Sequence, residues 1–205
     1  MSYGRIVKPA LDRSAALALL VLLAPVFLVL AALVWRRLGR PLVFRQTRTG
    51  LRGAPFTLLK FRSMAEGEAP DEARLTQFGR RLRASGLDEL PQLVNVLRGE
   101  MSLIGPRPLP PAYLAHYSPR QAQRLRVRPG IAGPGVAAGR NAVEWPLRLE
   151  LDAAYAATVP SLAADCRLLW HTLRVWLSGR GATAPGHATM PIFTRAAPIE
   201  RKAER

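Results

Sequence analysis

From Ala15 to Trp35 the chain reads AALALLVLLAPVFLVLAALVW, a run of apolar residues without a charge. As a helix it is long enough to cross a hydrocarbon core of about 30 Å. Pro25 stands at its middle, where it removes a helix hydrogen bond and crowds the preceding turn. Arg5, Lys8 and Arg13 precede the run, and Arg36, Arg37 and Arg40 follow it. The inside-positive bias asks for both flanks on one side of the membrane. Two readings stand. One is a proline-kinked span, which membranes tolerate. The other is a helix-break-helix hairpin over residues 14–38, broken at Ala24 and Pro25, that enters and leaves by the same leaflet. Its arms, of about ten residues each, would reach roughly 15 Å, near the midplane. A secretory signal fits poorly, because arginines follow the run with no small-residue cleavage pattern between.

The pattern then changes period. Leu42 to Phe44 and Phe56 to Phe61 read as two strands separated by a turn with Gly50 and Gly53. Lys60, Arg62, Arg45 and Arg48 lie on or beside this hairpin, and basic residues there most simply form a solvated face. Residues 65–74, acidic and polar without an apolar period, read as a loop. LTQFGRRLRAS reads as a short amphipathic helix with Leu75, Phe78 and Leu82 on one side. Leu90, Leu93, Val94 and Leu97 recur at one-face helical spacing. Pro91 is tolerable only in the first turn of that helix. Asp88 and Glu89 therefore fall at or just inside its N-terminus, beside unpaired N–H groups and the positive dipole end. Acids at such a place most simply act as caps.

Beyond this helix come a turn at Gly99 and a short strand from Met101 to Ile104. In the following Gly-Pro-Arg-Pro loop, prolines 106 and 108 stiffen the backbone around Arg107. A guanidinium held that stiffly suits a phosphate. RVRPGIAGPGVAAGRN, residues 126–141, reads as a second Arg-Pro-Gly loop. Residues 161–181 read as a helix whose apolar positions include Leu162, Leu169, Leu173, Trp176 and Leu177. Such a stripe most simply packs on a core, although tryptophan beside Arg167 and Arg174 also suits a membrane interface. The Pro- and Ala-rich tail, 181–205, is assigned no structure.

Charge narrows the partners. Thirty Lys and Arg oppose fourteen acids, a formal net charge of +16, so the partners are anionic: phosphorylated substrates, lipid headgroups or nucleic acid. Aromatic residues are sparse and no zinc-ligand spacing occurs; His116, His171 and His187 lie far apart. The lone Cys166 excludes an internal disulfide framework and reads as a buried or interfacial apolar residue.

Taken together, the broken apolar run around Pro25, LVFRQTRTGLRGAPFTLLKFRSM, LTQFGRRLRASGLDELPQLVNVLRGEMSLIGPRP, VRPGIAG and GRNAVEW…LELDAAY resemble the bacterial sugar transferase family, in the family's order. The resemblance covers roughly residues 5–178. It implies a mixed α/β fold: a cytosolic catalytic part over residues 40–180, carried on the re-entrant hairpin within a single domain of 1–180, with amphipathic interfacial helices. It implies transfer of a sugar 1-phosphate from a nucleotide diphosphate sugar, a UDP-sugar, to polyprenyl (undecaprenyl) phosphate at the cytoplasmic face of the bacterial inner membrane, initiating glycoconjugate or exopolysaccharide synthesis. Asp88 would be the nucleophile of a covalent phosphosugar intermediate, kept ionised by the helix N-terminus. Glu89, with Asp88, would hold Mg²⁺. Lys60, Arg62, Arg83, Arg107, Arg128 and Arg140 would bind phosphates. The implied partners are the nucleotide sugar, the polyprenyl phosphate and the lipid bilayer; no nucleic acid is expected, and homo-oligomer formation is left open. Two places depart from the family pattern. Ala24 replaces a usual serine at the break, and AGPGVAAGR lacks the usual Trp, Gln and Asn, which puts the donor in question. The alternatives are a homologue with an altered donor and a membrane-tethered basic protein that binds anionic lipid or nucleic acid.

Overall fold

The computed structural model describes residues 3–158, 161–179, 181 and 193. After a π-helical turn at Tyr3–Val7 come helices α1 (Lys8–Leu22) and α2 (Ala24–Leu38). They meet at Leu23 with a bend of 65°. Pro25 sits in the first turn of α2, where a missing N–H costs no bond. The break therefore falls just before Ala24 and Pro25 rather than on them. Each arm has 15 residues, longer than the sequence suggested, because α1 begins ahead of the apolar run. Its polar first turns are held by buried partners. Lys8 Nζ lies 2.7 Å from Asp165 Oδ2, and Ser102 Oγ donates to Asp12 Oδ2 at 2.6 Å. Further along, Ala16 packs on Leu58, Leu93, Val96 and Met101. Among the described residues no single helix is long and apolar enough to cross a membrane; only the bent pair meets that test together. Around the bend Val21, Leu22, Leu28 and Val29 are 58–73% exposed.

Strands β1 (Val43–Thr49) and β2 (Pro55–Phe61) form an antiparallel pair, Val43 opposite Phe61 and Thr49 opposite Pro55. The first strand continues five residues past the apolar stretch, so Arg45 and Arg48 lie within it. The acidic segment is not wholly loop: it ends in a single helical turn, α3 (Asp71–Arg74). Helix α4 (Gln77–Ser85) starts on Thr76, whose hydroxyl accepts from the Gly79 N–H, and ends at Gly86 with φ 73°. That left-handed residue lets the chain turn at once into a 3₁₀ turn, Leu87–Glu89. Helix α5 (Gln92–Arg98) follows. It is shorter than the apolar spacing suggested. Leu93 and Val96 face the core while Leu97 is exposed.

Asn95 explains that rotation. Its side chain, fully buried, faces the free edge of β2: Oδ1 accepts from the Leu59 N–H at 3.1 Å and Nδ2 donates to the Thr57 carbonyl at 2.7 Å. One amide thus does for β2 what a neighbouring strand would do.

β3 (Ser102–Ile104) pairs in parallel with β4 (Gly130–Ala132). The segment read as a second loop thus contains a strand, the short helix α6 (Pro134–Ala137) and a 3₁₀ turn at Arg140–Ala142. Helix α7 (Trp145–Ala157) carries Asp152, which meets Arg124 in a buried ion pair at 2.7 Å. The fold is mixed α/β in composition, but among the described residues its two sheets have two strands each.

Helix α8 (Leu162–Leu177) reverses the expected burial. Asp165 and Thr172 are buried, while Leu162, Leu169, Trp170, Leu173 and Leu177 are exposed. The inward face is polar because Asp165 accepts hydrogen bonds from Tyr3, Lys8 and Tyr155. The apolar stripe is therefore not core, and Cys166 is exposed rather than buried. Most of the tail, with His187, lies outside the described residues. Phe193 is the exception to the reading of an unstructured tail: it is buried against Tyr113, Tyr117 and Trp145.

Replacing Asn95 by Leu leaves the Leu59 N–H and the Thr57 carbonyl buried without partners. Each such loss costs roughly 1–3 kcal/mol. Asn95→Leu should therefore lower the unfolding midpoint well beyond the loss caused by the surface change Leu97→Ala, measured by thermal denaturation in detergent. Equal midpoints would remove Asn95 from its bridging role.

Candidate active site

Four chain segments converge on one cleft of about 410 Å³. β1 contributes Phe44, Gln46 and Arg48 at period-two spacing, and Lys60 lies opposite Phe44 on β2. Arg83 comes from the last turn of α4, Asp88 and Glu89 from the 3₁₀ turn after Gly86, and Arg107 from the Pro-Arg-Pro loop. Tyr113, Trp145, Arg140 and Arg148 complete the far wall.

Asp88 and Glu89 are 4% and 7% exposed. Neither caps a helix. Their turn precedes α5, whose capping residue is Pro91 and whose first turn receives no side-chain bond. The simple capping role is thus not taken. The two acids also titrate apart. Burial, reinforced by the neighbouring Glu89, pushes Asp88 up to about 6; Lys60, Arg83 and Arg107 pull the other way without prevailing. Its place beside a helix end does not lower Asp88, because desolvation outweighs the surrounding charge. Glu89 is held below the usual range. Burial opposes this, but the Arg107 guanidinium, its Nη2 2.8 Å from Glu89 Oε1, prevails. Lys60 is pushed down to about 8 by burial, against the attraction of Asp88. Its ammonium lies 5.2 Å from the centroid of the Phe44 ring.

Of the six cations expected to meet phosphate, Lys60, Arg83 and Arg107 reach the acid pair's cleft. Arg83 Nε also donates to Ser63 Oγ at 2.8 Å, which fixes its stem. Arg140 lines the cleft but spends both terminal nitrogens on the carbonyls of Ala84 and Arg83, bracing the end of α4. Arg62 does not line it: buried, it donates to the Leu38 carbonyl and lies 3.1 Å from Glu66. Arg128 is away from the cleft altogether, its Nε bonded to the Gly99 carbonyl at 2.9 Å.

Two further arginines belong to the site. Arg48, expected on a solvated face, lines the cleft instead; Nη2 donates to Gln46 Oε1 at 2.6 Å and its buried Nε has no hydrogen-bond partner. Burial, aided by Arg107, lowers it to about 10. Alternation of Phe44, Gln46 and Arg48 on a strand would have placed it, had the strand been carried past Phe44. Arg148 donates to the Arg140 carbonyl and lies over Trp145, 5.5 Å from its ring centroid, with Nε buried and unpartnered. Nothing in helical periodicity singles it out. Gly135, within the segment that departs from the family pattern, backs Arg148 closely; a Cβ there would stand 3.0 Å from Arg148 Cγ.

Among the described residues no group of three His, Cys, Asp or Glu could enclose a metal ion. Asp88 and Glu89 do fit a hard cation shared with substrate, because Mg²⁺ is commonly held by one or two carboxylates together with substrate phosphates. The cleft as a whole can hold a dianionic or more highly charged phosphate group against a carboxylate that ionises near neutrality.

Comparison with known proteins bears on this arrangement. The family model described as bacterial sugar transferase matches residues 3–179. The chain is 43% identical over 195 residues to the uncharacterized sugar transferase EpsL of Bacillus subtilis, covering 92% of this chain and 96% of that protein. It is 42% identical over 182 residues to the UDP-glucose:undecaprenyl-phosphate glucose-1-phosphate transferase of Caulobacter vibrioides, covering 81% and 68% of the two chains. It is 35% identical over 202 residues to the exopolysaccharide production protein ExoY of Rhizobium meliloti, covering 87% and 89%. The match runs from the π-helical turn before α1 past the end of α8 and takes in the whole cleft, and on it the chain belongs to the bacterial sugar transferase family and is a transferase.

Proposed function

We propose that the protein transfers a sugar 1-phosphate from a UDP-sugar to polyprenyl phosphate by two displacements at Asp88. The observation that carries this reading is the buried Asp88 carboxylate, poised near neutral pH among Lys60, Arg83 and Arg107. The Caulobacter relative's name specifies the same kind of transfer from UDP-glucose to undecaprenyl phosphate.

In the first displacement an Asp88 oxygen attacks the phosphorus that bears the sugar. The bond from that phosphorus to the bridging oxygen breaks, and uridine monophosphate leaves with the electron pair. An acyl phosphate remains on Asp88. In the second, a phosphate oxygen of the lipid attacks the same phosphorus and the carboxylate departs, giving polyprenyl diphosphate sugar. Neither step needs a net proton transfer. What each needs is relief of anion–anion repulsion, and Lys60, Arg83 and Arg107 supply it, joined by Arg48, whose buried Nε is unpartnered. Glu89, held ionised by Arg107, would with Asp88 hold Mg²⁺, which would neutralise diphosphate charge and orient the donor.

The acceptor's tail lies in a bilayer, which gives the exposed apolar surfaces a role. The bent α1–α2 pair would dip into one leaflet as a re-entrant hairpin with Val21, Leu22, Leu28 and Val29 at its tip, and the apolar face of α8 would lie in the interface. The net charge of +16 favours the anionic cytoplasmic leaflet. The protein would thus sit on the cytoplasmic face of the bacterial inner membrane, at the first step of a lipid-linked glycan or exopolysaccharide.

Three measurements test this reading. Asp88→Asn keeps the shape and removes the nucleophile. It should abolish release of uridine monophosphate from the donor while the protein melts no lower than wild type, since ionised Asp88 costs the fold on the order of 2–3 kcal/mol at neutral pH. Robust turnover, after a check for deamidation, would point to direct attack by the lipid.

The pH profile follows from the two shifted groups. Asp88, raised, is ionised only above about 6, and Lys60, lowered, is charged only below about 8. kcat/KM for the donor, which is insensitive to titration of the acceptor in a ping-pong reaction, should be bell-shaped between those limits. Lys60→Arg should move the alkaline limb upward. A profile flat from pH 5 to 9 would contradict both roles.

Cysteines placed at Ser2 and at Thr47, with Cys166 replaced, should react alike with an impermeant thiol reagent in oriented vesicles. Opposite accessibility would make the apolar run a span rather than a re-entrant pair.

A further inference from the structure

A second cleft, of about 740 Å³, adjoins the first. It is large enough for a substantial part of a small ligand. One wall is apolar: Pro41, Leu42, Val43 and Phe44 from the start of β1, with Met64 and Ala65 opposite. At one end it shares Lys60, Arg83 and Arg74 with the cleft that holds Asp88. At the other it opens beside the end of α2, where Arg62, a lining residue, donates to the carbonyl of Leu38, the last residue of that helix. The catalytic machinery uses Lys60 and Arg83 but leaves this apolar wall without a role.

We propose that this groove holds the first isoprene units of the acceptor lipid, with its phosphate on Lys60 and Arg83 and its tail running along Phe44, Val43 and Leu42 toward α2. Three observations select that occupant. Cations converge at the junction of the two clefts, where the Lys60 ammonium stands over the Phe44 ring, while of the other charged lining residues Arg62 and Glu66 pair with each other at 3.1 Å and Arg45 is exposed. The apolar wall then leads away from the nucleophile rather than around it. And it ends at the base of the bent helix pair, whose Trp35, one turn before the end of α2, is 62% exposed. An amphiphile with one anionic end and a long apolar tail fits that sequence of surfaces; a nucleoside, polar along its length, does not. The sugar end of the donor would approach Asp88 from the side of Tyr113, Trp145 and Arg148 instead. The inference rests on the proposed two-step transfer.

Two variants test it without touching the cleft of Asp88. Ala65→Trp fills the groove from the segment following β2, where the Ala65 backbone N–H and carbonyl, not its side chain, bond to Arg74. Val43→Asp puts a charge on the apolar wall. The acceptor probe is a soluble C10 prenyl phosphate, whose short tail reads the groove rather than partition into a bilayer. With full-length enzyme in detergent, both variants should raise KM for this acceptor at least ~10-fold, the scale of losing a few methylene contacts. Uridine monophosphate release in the absence of acceptor should stay within about twofold of wild type, as expected when only the second displacement is affected. Unchanged acceptor KM in Ala65→Trp, with a wild-type melting midpoint, would overturn the proposal. So would loss of the acceptor-independent release with acceptor KM intact, which would assign the groove to the donor. Should wild type itself release no monophosphate without acceptor, the covalent reading fails, yet the acceptor KM comparison still decides the groove.

Discussion

A single buried amide, Asn95, holds the catalytic geometry together. Among the described residues there is no broad sheet on which to mount a site; the strands come in pairs. Lys60 rides on β2, one edge of which has no neighbouring strand, while the acid pair precedes α5. Asn95 joins these two elements by satisfying two polar groups on that edge, the Leu59 N–H and the Thr57 carbonyl, and its Nδ2 also reaches Glu100 Oε2 at 2.6 Å, in the turn that follows α5. On the opposite face, Ala16 of α1 packs into the same α5–β2 cluster. Helix α1, helix α5 just after the acid pair and the strand that carries Lys60 therefore share one small core, and movement of any of them is felt by the other two.

Electrostatic balance is the second constraint. In the proposed transfer an ionised Asp88 meets a diphosphate, so the site needs cations. Too many cations close to Asp88 would lower its basicity and with it its nucleophilicity. The chain resolves this by pairing the strongest nearby cation, Arg107, with Glu89 rather than Asp88. Burial then raises Asp88 against the remaining fields of Lys60 and Arg83. Two adjacent carboxylates in one turn thus differ in their ionisation, the kind of divergence that separates roles within a site. The arrangement is unfavourable for folding and favourable for reaction, and deep ion pairs elsewhere, such as Arg124 with Asp152, anchor the surrounding segments.

Local chemistry was the most legible part of the sequence. Pro25 in an apolar run forecast two helices with a break, and the LDELP stretch singled out Asp88 and Glu89. The stiff Gly-Pro-Arg-Pro loop marked Arg107. What stayed hidden depended on tertiary partners. α8 turns its polar side inward only because Lys8, Tyr3 and Tyr155 come from far along the chain to meet Asp165. Periodicity cannot foresee that inversion. The same holds for Arg62 and Arg128, whose guanidiniums were expected to meet phosphate and instead satisfy backbone carbonyls at Leu38 and Gly99. Phe193 backs the far wall through contacts with the distant Tyr113 and Trp145, and Arg148 is placed by the Arg140 carbonyl and the Trp145 ring, with no pattern to announce either.

The claim on which the rest turns is that Asp88 carries the sugar phosphate. Rapid quench at low temperature, followed by intact mass measurement, tests it most directly. Wild-type enzyme given UDP-sugar without lipid should gain the mass of one sugar phosphate, mapping to the peptide that contains Asp88, and should lose it when polyprenyl phosphate is added. An enzyme that turns over fully yet never gains that mass, or that gains it on another residue, would contradict the account.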